Sequence, residues 1–171
     1  ARFMRGVAYW YLASLWGDVI ISEDPAALVS NPIVNKNPRR DVFEFAIRDL
    51  EYPAKHLPAA AGQAGRLTKY SAYGMLSRLY LAYSGLSDNP NSGTRSTEYL
   101  EYAQLAAEKA ITESSYKLLT DYASLFTIEN NNNSESMFAL QWVPNGEYGV
   151  TNTLQAYFAC GSEITGDDAA W

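Results

Sequence analysis

The 171-residue chain holds a single cysteine, Cys160, and a single histidine, His56. One cysteine excludes an intrachain disulfide and a cysteine-based zinc cage, and one histidine excludes a multi-histidine metal site. No apolar run approaches the roughly 18 residues that would read as a membrane-spanning helix. Basic residues are scarce: 13 Lys and Arg stand against 19 Asp and Glu, for a net charge of −6. That balance argues against nucleic acid as a partner and against electrostatic docking on an anionic membrane. The remainder is 47% hydrophobic and 19% charged, enough to bury one ordinary core, which excludes a disordered tail or a collagenous fibre. Aromatics are in surplus at 13%, with 13 Tyr and 4 Trp.

Helical periodicity is plainest at the start. Phe3, Val7 and Trp10, then Met4, Ala8, Tyr11 and Leu15, form two adjoining rows at i, i+3/i+4 spacing. Gly17 can end that helix with a positive φ. Residues 22–37 read as a long irregular connection with two prolines. A second helix is expected where Asn37 can cap and Pro38 fill the first turn, with Val42, Phe43, Ala46, Ile47 and Leu50 as its buried stripe. Pro53 should kink or end it, because proline lacks an N–H and clashes with the preceding turn. Thr68 can cap a third helix bearing Ala72, Leu76, Leu79, Tyr80 and Tyr83, with Gly85 as its stop. Residues 84–96 have loop composition. A fourth helix begins near Thr97, with a narrow face of Tyr99, Ala103, Ala106 and Ala110. Asn130–Asn133 is a polar loop, and Met137–Val143 has the composition of a short strand, followed by a turn at Pro144-Asn145-Gly146.

The helices repeat. Ala8-Tyr9-x-x-Leu12-Ala13-x-Leu15-Trp16 maps onto Ala72-Tyr73-x-x-Leu76-Ser77-x-Leu79-Tyr80 at an offset of 64 residues, and the same offset takes Ala46-Ile47 to Ala110-Ile111, Asp49 to Glu113 and Tyr52 to Tyr116. A small residue (Ala13, Ser77) flanked by aromatics lets a partner helix approach closely, which is the packing pattern of tetratricopeptide repeats. Their usual period is about 34 residues; the extra residues here lie in loops. The fold expected is therefore mainly α: tetratricopeptide-like helical repeats with long loops, then a loop-rich segment with a short strand. Residues 1–128 form the helical part (helix pairs 1–58 and 67–118), and 129–171 the irregular part.

The same blocks carry a family resemblance. ARFMRGVAYWYLASLWGDVII resembles the signature helix of SusD/RagB-family proteins, E-A-R-F-L-R-A-x-x-Y-x-x-L-x-x-x-[FWY]-G-D-V-P-L. VFEFAIRDLEYPAKHLP, GRLTKYSAYGMLSRLYLA, YKLLTDYASLF and SESMFALQW are similar to later family blocks in the same order, covering residues 1–142. Ile20 stands where the family often has Pro. The resemblance implies a cell-surface lipoprotein of the outer membrane that binds oligosaccharide and works with a SusC-type TonB-dependent transporter, without a cofactor and without catalysis. The family's lipid-bearing cysteine is N-terminal and so is not Cys160. The chain starts inside a helical pattern and stops at Trp171 without a cap, so we expect an internal segment of a longer protein.

Sugars are held by aromatic faces together with amide and carboxylate groups. The helical aromatics Tyr9, Trp10, Tyr11, Trp16, Tyr73 and Tyr80 have the spacing of packing residues. The expected ligand contacts are those outside helices: Trp142, Asn145, Tyr148, Asn152, Tyr157 and Trp171. The alternatives are a tetratricopeptide scaffold for a protein partner and an all-helical glycosidase. The latter needs two carboxylates about 5 to 9 Å apart, and Asp18, Glu23, Asp24, Asp121, Asp167 and Asp168 show no such pairing in sequence. His56, beside Lys55 at a helix end, has no nucleophile motif around it and should face water.

Overall fold

In the computed structural model, residues 1–30, 32–86 and 93–141 are described. Their elements are α1 (Arg2–Trp16), a single turn α2 (Ala27–Ser30), α3 (Arg39–His56), α4 (Lys69–Ser84) and α5 (Thr97–Thr112), followed by 3-10 turns at Tyr122–Phe126 and Ile128–Asn130. The chain divides into compact units Ala1–Phe138 and Ala139–Trp171, and the described part of the second is residues 139–141.

In the first unit the long helices pack in series: α1 on α3, α3 on α4, and α4 on α5. The stripe expected on α3 is buried in full, with Val42, Ala46 and Leu50 at 0% exposure, and it shares one core with Leu79 and Ala72 of α4, which have the same value. Gly6 sets the approach of α1 to α3. A Cβ there would lie 2.9 Å from both the Ala46 carbonyl oxygen and Leu50 Cγ, so its absence lets the helices close up. Ala13 is fully buried, whereas Ser77 is half-buried and folds its hydroxyl back onto the Gly74 carbonyl (2.8 Å). The row Met4, Ala8, Tyr11 and Leu15 is exposed, as is Trp16. This differs from the two-row expectation because α1 has one main neighbour, which covers only the Phe3–Val7–Ala13 face.

Capping follows hydrogen-bond supply. Thr68 and Ser71 form a reciprocal capping box at the start of α4, satisfying donors that a helix start otherwise leaves unpaired. Ser96 caps α5 by accepting from the Tyr99 N–H. Asn37 does not cap α3. Its side chain accepts from the Ile21 N–H (2.9 Å), and the α3 donor at Arg39 is met instead by Asp18 Oδ1 (2.8 Å). Pro38 is the residue before the helix rather than its first turn. Pro53 does not end α3, which continues to His56 with the Leu57 N–H donating to the Pro53 carbonyl; Pro53 itself is buried.

Several excursions leave this stack, and among the described residues three of them are pinned as follows. Residues 22–36 are closed by the Val19–Asn37 bridge, Asn37 N–H donating to the Val19 carbonyl (2.8 Å). Tyr9 adds a hydroxyl that accepts from the Ser22 N–H (2.9 Å). The loop after α4 is closed by Ser96 N–H to the Ser84 carbonyl (2.8 Å); its residues 87–92 lie outside the described set. Lys117 N–H donates to the Ser134 carbonyl (2.9 Å), and Leu119 N–H to Glu135 Oε2 (3.0 Å). Inside this third excursion Asn130 and Asn133 donate to loop carbonyls, so the polar tract is a braced turn.

The strand expected at Met137–Val143 is not formed over residues 137–141, and Trp142 and Val143 lie outside the described residues. A strand needs a ladder partner for its backbone groups, and none is present among the described residues. Met137 and Phe138 are instead half-buried against the helices. Phe138 packs edge-to-face on Phe3 with centroids 5.0 Å apart, and Met137 closes over Gly74.

Candidate functional site

The concave feature described in the first unit is a cleft of about 220 Å³ between α3, α4 and α5. Its walls come from helical spacing: Glu51 and Lys55 lie one turn apart on α3, Tyr73 and Tyr80 two turns apart on α4, and Tyr102 and Lys109 two turns apart on α5. Tyr80 donates its hydroxyl to Glu51 Oε1 (2.7 Å). Burial, and then that bond, hold the Tyr80 phenol well above its ordinary range. Tyr102 lies with its ring centroid 5.6 Å from that of Tyr80. It donates to Glu98 (2.8 Å), which raises its pKa. The Lys109 ammonium sits 5.1 Å above the Tyr73 ring, within cation–π range.

Next to the cleft, Tyr83 is buried at the α3–α4 seam. Its hydroxyl accepts from Arg40 Nε (2.9 Å) and donates to Glu44. Burial first, then the Glu44 bond, push this phenol up to about 12. Further along α3, Asp49 is held by Arg5 of α1 in a two-pronged contact, Nε to Oδ2 at 2.5 Å and Nη2 to Oδ1 at 2.8 Å. That bond is the first cause raising the Arg5 pKa.

Most of the acids weighed as catalytic candidates have structural tasks where they are described. Asp18 meets the first donor of α3, Asp24 accepts from the Ala26 N–H, and Asp121 caps the 3-10 turn at Ala123. Asp167 and Asp168 lie outside the described residues. His56 is exposed, with its ring against Tyr52 at 4.2 Å. Among the described residues no group of three or more His, Cys, Asp or Glu could hold a metal ion, and no helix is long and apolar enough to cross a membrane.

The expected ligand contacts, Trp142, Asn145, Tyr148, Asn152, Tyr157 and Trp171, all lie outside the described residues. Of the helical aromatics, Tyr9 is core, packed on Phe45 at 4.9 Å, and Trp10, Tyr73 and Tyr80 are half-buried. Tyr11 and Trp16, at 54% and 67% exposure, are not packing residues, because the outer face of α1 is uncovered. Sequence reading missed the Arg5–Asp49 contact. The signal was an acid inside an apolar stripe, between Ile47 and Leu50, since buried acids are nearly always paired.

No protein-family model matches the chain. Individual relatives do. The sequence is 43% identical, over its whole length, to a SusD-like protein of Bacteroides ovatus, and it spans 31% of that relative. This chain belongs with the SusD-like proteins. The starch-binding protein SusD of Bacteroides thetaiotaomicron is 26% identical over 96% of the chain, which spans 28% of it. Among solved structures, one containing xylogluco-oligosaccharide is 42% identical with a TM-score of 0.87, covering 95% of this chain and 32% of that one. A SusD-like carbohydrate-binding protein of Bacteroides fragilis, 22% identical with a TM-score of 0.67, shares the fold. This SusD-like chain thus spans under a third of the length of these relatives.

Proposed function

We propose that this chain is the helical scaffold segment of a cell-surface protein that binds oligosaccharide without cleaving it. The protein is held at the outer membrane by a lipid outside these residues and delivers its ligand to a SusC-type TonB-dependent transporter. The observation that carries the reading is the 43% identity along the entire chain to a SusD-like protein, joined to the close structural match to a protein containing xylogluco-oligosaccharide. The pinned excursions are consistent with it, because a braced loop loses little entropy on binding.

Ligand contacts are assigned to Trp142, Asn145, Tyr148, Asn152, Tyr157 and Trp171, whose aromatic and amide groups suit stacking and hydroxyl recognition. Titration calorimetry of the full-length protein against a glycan panel that includes xyloglucan oligosaccharides tests this. Saturable binding, lost in Trp142→Ala and unaccompanied by new reducing ends, is the expected result. A panel with no binder at millimolar concentration overturns the reading. Co-purification with a transporter in mild detergent tests the partner.

A further inference from the structure

The cleft between α3, α4 and α5 has a composition that scaffold packing alone does not require. Three charged groups line it, Glu51, Lys55 and Lys109, leaving one net positive charge in a chain whose net charge is −6. Lys55 is exposed on the α3 rim. Lys109 rests on the Tyr73 ring and remains exposed. Glu51 uses Oε1 for the Tyr80 hydroxyl, and an ionised carboxylate has further lone pairs with which to accept. Between these groups lie the rings of Tyr73, Tyr80 and Tyr102, the last 42% exposed. A cationic donor and an acceptor side by side on α3, a second cationic donor on α5 and an aromatic wall suit a ligand with an apolar ring face and a carboxylate. At about 220 Å³ the cleft is smaller than a typical drug-sized pocket of roughly 300–1,000 Å³, so it accommodates one ring rather than a chain.

We propose that this cleft is a second binding site, separate from the loop aromatics, that takes a single hexuronate unit: its ring lies against Tyr102 and its carboxylate lies between Lys55 and Lys109. The sugar class rests on the carbohydrate-binding reading above; the site and its charge preference rest on the cleft.

The test uses the full-length protein and ligand-observed NMR titration with glucuronate, glucose and acetate as probes. Glucuronate should bind saturably and about tenfold or more tightly than glucose, as expected for one charge-assisted contact. Lys55→Gln and Lys109→Gln should each weaken it about tenfold, while neutral-oligosaccharide binding is unchanged. Parity between glucuronate and glucose, competition by acetate at equal concentration, or indifference to both lysine substitutions overturns the proposal. So does binding of an acidic protein, but not glucuronate, through the same lysines. Trp142→Ala separates the two claims. If the proposal is right, this variant retains glucuronate while losing neutral oligosaccharide. A wild-type protein that binds neutral oligosaccharide but no glucuronate refutes only the cleft.

Discussion

Arg5 and Asp49 form a contact whose two halves should respond very unequally to truncation. The carboxylate side chain is 4% exposed and the guanidinium side chain 34%. When Asp49 becomes Ala, Arg5 can turn toward water, since a third of it is already there. The loss is then chiefly one charge-assisted hydrogen-bonded pair, about 1–2 kcal/mol. When Arg5 becomes Met, Asp49 stays between α1 and α3 with no partner and no solvent. Stranding a buried charge costs about 3–5 kcal/mol. Arg5→Lys should fall between, because an ammonium cannot span both carboxylate oxygens. The double variant Arg5→Met/Asp49→Ala should lose less than the two single changes added together, since it removes the stranded charge. Denaturant midpoints at constant m-value measure all four. Equal costs for Asp49→Ala and Arg5→Met, or strict additivity in the double variant, would refute the argument that burial of the carboxylate governs this contact.

Three other outcomes follow from local chemistry. Thr68→Ala removes half of the capping box of α4 and should cost about 1–2 kcal/mol, read as a fall in Tm that Thr68→Ser largely restores. Gly74→Ala should be neutral or stabilise by up to about 1 kcal/mol through helix propensity, because the new Cβ meets only the flexible end of Met137, at 3.3 Å; a Tm loss would contradict this. In alkali, the unfolded phenols of Tyr80 and Tyr83 ionise near their ordinary value of 10.0 while the folded ones remain protonated. The unfolded state then binds fewer protons, so stability is intact below pH 10 and declines as pH rises toward about 12. Tyr80→Phe and Tyr83→Phe should each flatten that decline in a pH series of denaturation midpoints.

The helices were readable where one face alone decides burial. The α3 stripe, the Thr68 start and the alanine face of α5 (Ala103, Ala106, Ala110) all follow from period and capping chemistry. Sequence reading failed where a distant group competes for the same bond. Asn37 has the side chain for a helix cap, but Ile21 supplies a donor to it first, and Asp18, 21 residues before Arg39, takes the cap role. Pro53 has the geometry of a stop, yet it is buried within the continuing helix. Met137 and Phe138 have strand-forming composition, but a strand cannot form without a neighbour, and the core offers them Gly74 and Phe3. The cleft was invisible for a related reason: Glu51, Tyr80 and Tyr102 belong to three helices, and no local pattern announces their meeting.

The 64-residue repeat shows where the information in a sequence pattern ends. Equivalent small residues agree when both lie at a seam: Ala46 is 0% exposed and Ala110 6%. Other equivalents diverge. Ile47 is 6% exposed and Ile111 74%, while Ala72 is 0% exposed and Ala8 lies in the open. Nothing in the local sequence separates these pairs, since each occupies the same position in the same helical pattern. The difference is placement. α3 and α4 each have helices on two sides, whereas α1 and α5 have one principal neighbour. Periodicity therefore specifies which face of a helix is apolar, and the number of neighbours in the stack decides how much of that face is covered. By this argument, substitution of Ile47 by Ala should cost the several kcal/mol of a core truncation, of order 2–5, and the same change at Ile111 should fall within about 0.5 kcal/mol of neutral. Comparable losses at the two sites would mean that the repeat, rather than the stack, sets burial.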